Sequence, residues 1–245
     1  MNHSTFFEKH PLGAALMMVA LYCIPMTMVK SEFAMDSWQM TAALAVITLI
    51  VILYVSREKL AVQLGLTSWI RHVPFYAVLP VFFMPPVNLI FGVSLNYTGA
   101  GLLFAVLSMA MVGFLEEVIF RGLLFKAIAK ENMKEAVVIT SLTFGIGHIS
   151  NLFTGQNLLE TLLQIVYAIC IGCCFVMVFL YSGSLWPCIL SHSLIDICSL
   201  FGNPQASEQT AIIGSVILIA LSLGCVWLLK KSRPAFWPLN MPAEK

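Results

Sequence analysis

The chain has 245 residues, 60% of them hydrophobic and only 10% charged, with a net charge of +1 and a mean hydropathy of +0.92. Soluble domains carry about 25% charged residues, so the composition describes an integral membrane protein and excludes a sizeable soluble domain. A near-neutral chain with no run of like charge also offers nucleic acid nothing to bind.

The expected fold class is all-α: one polytopic membrane domain over 1–245, with about eight transmembrane helices. Apolar runs of about 17–25 residues suit a bilayer crossing. After Glu8, Lys9 and His10 the chain turns apolar at Leu12, and no A-x-A cleavage site follows. Residues 12–29 therefore read as a retained first helix rather than a removed signal. The second span is 40–55, ended by Arg57, Glu58 and Lys59. Residues 57–73 mix Leu60, Val62, Trp69 and Ile70 with Arg71 and His72, which suits a segment at the membrane interface.

The third span, 74–93, contains Pro80, Pro85 and Pro86, so a kink is expected where helical hydrogen bonds are lost. The fourth begins near Ala100. The fifth is 135–149, the sixth 158–181, the seventh 184–201 and the eighth 211–229, followed by a short basic tail over 230–245. No internal repeat is visible, which weighs against inverted-repeat transporters. An even number of spans puts both termini on one side. With both termini cytoplasmic, 12 of the 13 Lys and Arg residues face inward and only Lys30 faces out. The expected location is the plasma membrane.

The seven cysteines all lie in apolar segments. Cys170-x-x-Cys173-Cys174 sits within one hydrophobic helix and lacks a second pair, so it reads as packing rather than as a metal or redox motif.

Charge appears where the membrane disfavours it. The fourth span holds Phe114-Leu-Glu-Glu-Val-Ile-Phe-Arg-Gly122, with Glu116, Glu117 and Arg121 in an otherwise apolar run. Ionised groups at bilayer depth are costly and are usually kept for function. A helix ending at Arg121 would leave Glu116 only about 7 Å from the inner surface. Running on to Lys126 or Lys130 puts it about 15–21 Å deep. The fifth span adds His148, about 21 Å in from Lys134. The seventh adds His192 and Asp196, four residues apart and so on one helix face. Glu160 falls near the outer end of the sixth span and reads as interfacial.

Singly, each of these residues has an ordinary explanation. A membrane histidine is often a hydrogen-bonded helix contact, and Glu117 with Arg121 is an i,i+4 pair. Six such groups from three spans at matching depth go further, since an apolar core would hold the bundle more cheaply. A carboxylate beside an imidazole orients and deprotonates water. A second imidazole with a polar partner one turn on stabilises charge developing on a carbonyl oxygen. Those are parts of a hydrolase acting on amides with water. Ser141, Ser191 and Ser193 lie near the motifs but read as helix contacts rather than nucleophiles.

These motifs resemble the CPBP family, also called ABI or CAAX-protease-like, which includes the prenyl-protein endopeptidase Rce1 and bacterial relatives. The family pattern appears as Glu116-Glu117-x-x-x-Arg121, Phe144-x-x-x-His148 and His192-x-x-x-Asp196, within a core of about 100–201. The resemblance implies that Glu116 activates water and His148 positions it, while His192 and residue 196 face the scissile carbonyl. Glu117, Arg121 and Phe144 would be supporting residues. The family has Asn or Asp at position 196. Asn donates through its amide, whereas an ionised Asp only accepts. Asp196 therefore carries a proton, orients His192, or binds a metal.

The family is described both as metal-dependent and as metal-free, and His148, His192 and Glu116 would be the zinc set. The metal-free reading is favoured. The implied partners are a peptide or membrane-protein substrate, reached from within the bilayer or the cytoplasm, and the bilayer itself. The implied settings are CAAX-box processing, bacterial peptide maturation and bacteriocin immunity. Two other classes compete: a proton-coupled transporter, and a non-catalytic immunity or scaffold protein on the same fold.

Overall fold

The computed structural model describes residues 5–67, 73–205 and 207–232. Residues 68–72 of the expected interfacial stretch at 57–73 and the tail beyond Ser232 lie outside the described residues. Among those described, the regular structure is helical, with one isolated antiparallel bridge between Val93 and Gly202.

A one-turn helix, Phe6–Lys9, leads into α1, Pro11–Glu32, where Pro11 occupies the first turn that tolerates its missing N–H. α2 is Trp38–Arg57, with the Ser37 side chain capping the Met40 amide. The third apolar segment contains α3, Phe75–Val78, and then two 3₁₀ turns, Leu79–Phe83 and Pro85–Leu89. α4 runs over Gly99–Ala129. Asn132 caps α5, Met133–Gly147, which ends in the 3₁₀ turns His148–Thr154. Asn157 caps α6, Leu158–Ser182, and Gly183 ends it at φ 66°, a conformation that costs glycine little. α7 is Trp186–Ser199 and α8 is Glu208–Lys231.

Six of these helices, α1, α2, α4, α5 with its 3₁₀ extension, α6 and α8, are long and apolar enough to cross a membrane. The polytopic all-α architecture is as expected, but two of the eight anticipated spans differ. The third is broken more severely than a kink, because three prolines in seven residues leave no uninterrupted α-helical ladder. The seventh has 14 helical residues, only about 21 Å at 1.5 Å per residue. The two short elements pack together: Ser191 Oγ donates to the Val81 carbonyl and Asn88 Nδ2 to the Ile195 carbonyl. Their polar backbone is satisfied within the protein, the condition for irregular chain at membrane depth.

α4 passes Arg121 as the depth argument required. Its 31 residues reach about 46 Å, well beyond a hydrocarbon core of about 30 Å. Within it, Glu117–Leu124 is π-helical, a rare geometry that concentrates at functional sites.

Two buried apolar clusters surround this helix. One joins α1, α2, α4 and α5 to one side of α6 and the start of α7, and the other joins the third segment to α6, α7 and α8. All seven cysteines are free thiols in these helices, in keeping with a packing role.

Candidate active site

Two close helix crossings bring the motif residues together. A Cβ on Gly113 of α4 would stand 2.6 Å from the Ser193 backbone nitrogen on α7. A Cβ on Gly145 of α5 would stand 2.8 Å from the Ile165 carbonyl oxygen on α6. Only glycine permits these approaches, the usual device of membrane helix packing. Each glycine lies within four residues of a motif side chain, so the crossings set the distances between α4, α5 and α7 at the site.

Glu117 is the hub. It is fully buried, and its Oε1 accepts from His192 Nδ1 at 2.7 Å and lies 3.0 Å from Arg121 Nη1. The Glu117–Arg121 contact is an ion pair by distance but lacks hydrogen-bond alignment. The guanidinium finds its other partner in Phe144, whose ring centroid lies 3.6 Å from Cζ, a cation–π stack in a dry environment. Phe144 also meets both histidines edge-on, at centroid distances of 5.2 Å to His148 and 5.6 Å to His192.

With His192 Nδ1 bonded to Glu117, its Nε2 points to the other two carboxylates. Glu116 Oε2 is 3.8 Å away and Asp196 Oδ2 is 3.6 Å away. Both separations exceed a hydrogen bond and leave room for a small polar molecule to bridge them. Glu116 Oε1 accepts from the Tyr22 hydroxyl of α1 at 2.6 Å. His148 Nδ1 donates to the Phe144 carbonyl at 3.1 Å, which fixes its tautomer and leaves Nε2 free to accept. Glu116, His148, His192 and Asp196 all line one cavity of about 570 Å³, closed below by Phe120 and Phe144.

The anticipated set therefore converges, with a division of labour. Glu116, His148, His192 and Asp196 reach the cavity, whereas Glu117 and Arg121 lie beneath it, sealed from it. Ser141, Ser191 and Ser193 bond to the carbonyls of Val137, Val81 and Ala110, as helix contacts do. Glu160 is exposed at the start of α6, away from the four. Tyr22 escaped sequence reasoning, because a single hydroxyl in an apolar span carries no pattern. Among the described residues no group of three or more His, Cys, Asp or Glu side chains is arranged to hold a metal ion.

The cavity rim is built from Lys30 and Phe33 at the end of α1, Ser150 and Thr154 after α5, and Ser199 at the end of α7. These belong to one end of the bundle, opposite the turns at 58–67, 130–132 and 183–185.

Residues 98–198, the stretch that holds all three motifs, match the Rce1-like family, described as type II CAAX prenyl endopeptidase Rce1-like. That segment is similar to the Rce1-like family. Its boundaries take in α4 to α7, so Tyr22 and Lys30 reach the cavity from outside it. At family level the Rce1-like match supports a protease acting within the membrane. No curated protein and no solved structure matches the chain.

Proposed function

We propose that this protein is an intramembrane endopeptidase in which Glu116 activates the attacking water. The observation that carries the reading is the setting of the Glu116 carboxylate. One oxygen is held by Tyr22 at 2.6 Å, and the other opens into the cavity 3.8 Å from His192 Nε2. A general base needs this combination of a fixed orientation and a free oxygen.

The steps follow from the positions. Water at Glu116 Oε2, oriented by His148 Nε2, gives its proton to the carboxylate as its oxygen bonds to the scissile carbonyl carbon. Negative charge then develops on the carbonyl oxygen, which lies toward His192 Nε2. With Nδ1 already donating to Glu117, Nε2 donates to that oxygen from the imidazolium, the form that the surrounding carboxylates of Glu117, Glu116 and Asp196 favour. Charge-directed donors in a water-poor site stabilise such an oxyanion strongly. Glu116 passes the proton to the amide nitrogen as the C–N bond breaks, giving a free acid and an amine. Asp196 acts through His192 rather than on the substrate, as its 3.6 Å separation from Nε2 suggests. Glu117 holds the imidazole by Nδ1.

The metal-free form is proposed on the setting of Glu116, where one oxygen is fixed by Tyr22 and the other is left to water, as a general base requires. The substrate class is a peptide segment at the bilayer, of which the CAAX type named for the family is one example. To test the reading, purified protein is reconstituted in vesicles with candidate peptides and compared with Glu116→Gln, His148→Ala and His192→Ala, with and without a chelator. Cleavage by the wild type alone, indifferent to chelator, is expected. Cleavage that persists in Glu116→Gln would sink the mechanism, and chelator-sensitive cleavage restored by zinc would reverse the metal assignment.

A further inference from the structure

The floor of the cavity carries the reacting groups, and its rim carries one cation. Lys30, in the last turn of α1, is the only Lys or Arg among the described residues lining the cavity. It is partly buried and makes no ion pair with any described residue. Glu32, two residues on, is exposed and does not pair with it. A lysine at the end of a span ordinarily extends its amine to the headgroups. Here Lys30 lines the same cavity as Glu116, His148 and Asp196, at its mouth with Phe33 and Ser150.

The wall that continues the rim toward α6 is neutral. Asn151 and Gln156 both donate amide hydrogens to Gln164 Oε1, at 2.8 and 3.0 Å, and these amides are committed to one another. Selection by charge at the mouth therefore falls to Lys30.

We propose that Lys30 is a specificity residue that binds a carboxylate of the peptide substrate, either an acidic side chain or a free C-terminus. The proposal rests on the peptidase reading and adds the polarity of the bound chain. Glu116 and Asp196 on the floor repel an anion, while Lys30 at the rim attracts one. The two effects act in the same direction: the carboxylate stays at the mouth and the neutral scissile amide descends to Glu116. A partly desolvated ammonium–carboxylate hydrogen bond contributes enough to change affinity about tenfold or more.

Binding tests this without turnover. The full-length protein carrying Glu116→Gln is immobilised in nanodiscs and offered three octapeptide libraries: free C-termini with all residues, amidated C-termini, and free C-termini lacking Asp and Glu. Retained peptides are quantified by mass spectrometry, with Lys30→Gln and Lys30→Arg in the same background. The expected result is at least tenfold enrichment of carboxylate-bearing peptides, lost in Lys30→Gln and kept in Lys30→Arg. Loss of enrichment on amidation identifies the chain terminus, and loss on removing Asp and Glu identifies a side chain. Equal retention of peptides with and without a carboxylate (the latter being the amidated members that lack Asp and Glu), no retention of any, or enrichment unchanged by Lys30→Gln overturns the proposal. If enrichment holds while the wild type cleaves no retained peptide, the peptidase reading fails and the recognition site stands.

Discussion

His192 donates its Nδ1 hydrogen to Glu117 Oε1 across 2.7 Å, and both side chains are buried. This bond joins the first and third motifs, 75 residues apart in sequence, and assigns the two adjacent glutamates different tasks. Glu116 faces the cavity and Glu117 faces the imidazole. The bond also fixes the orientation of the His192 ring, which leaves Nε2 as the atom presented to substrate.

Glu117→Gln should therefore cut activity about 10²-fold, since partners that orient an active imidazole commonly matter by 10–100-fold or more. It also strands the buried Arg121 charge, which costs about 3–5 kcal/mol when a partner is removed. The double variant Glu117→Gln/Arg121→Met should recover thermal stability in detergent without recovering cleavage. Recovery of both together would mean that Glu117 serves only the ion pair.

Tyr22→Phe removes the donor to Glu116 while keeping the ring. A hydrogen bond to a charged acceptor contributes about 1.5–3 kcal/mol, so kcat should fall about 10–100-fold with little change in KM or melting temperature. An unchanged kcat would show that Tyr22 does not hold the base.

Gly113→Ala places a methyl group 2.6 Å from the Ser193 backbone nitrogen. Overpacking of this kind costs about 1–3 kcal/mol and shifts backbone, so α4 and α7 should part, lowering both melting temperature and cleavage. Gly224→Ala on α8, away from the cavity and with no atom within 4 Å of the added carbon, should change neither. Equal behaviour of the two variants would refute the close-crossing account.

Lys30 apart, the Lys and Arg residues at the described helix ends (Lys9, Arg57, Lys59, Lys126, Lys130, Lys134, Lys230 and Lys231) lie at the end of the bundle opposite the cavity rim, so the site should face away from the cytoplasm. Thr154→Cys at the rim and Glu131→Cys in the α4–α5 turn are both exposed positions. A membrane-impermeant maleimide applied to intact cells should label Thr154→Cys above the wild-type background. Glu131→Cys should react only after permeabilisation. The reverse pattern would turn the protein over in the membrane.

Much of this was legible in the residues because hydropathy and the helical period are local properties. They marked the six long helices, carried α4 past Arg121, paired Glu117 with Arg121, and put His192 and Asp196 on one face. The same locality hid the rest. Three prolines announced a disturbed third segment, but its two 3₁₀ turns depend on polar contacts with α7, more than 100 residues away. Nothing near Tyr22 marks it as a partner of Glu116, 94 residues on.

The sequence by itself determined a membrane bundle with an intramembrane cluster of Glu116, Glu117, Arg121, His148, His192 and Asp196, since apolar spans forbid such charges without a reason. Tertiary structure decided which of them meet the cavity, which lie sealed beneath it, and at which end the cavity opens. Those are matters of packing across helices, where Gly113 and Gly145 set the spacing and burial leaves each polar atom few partners to choose from.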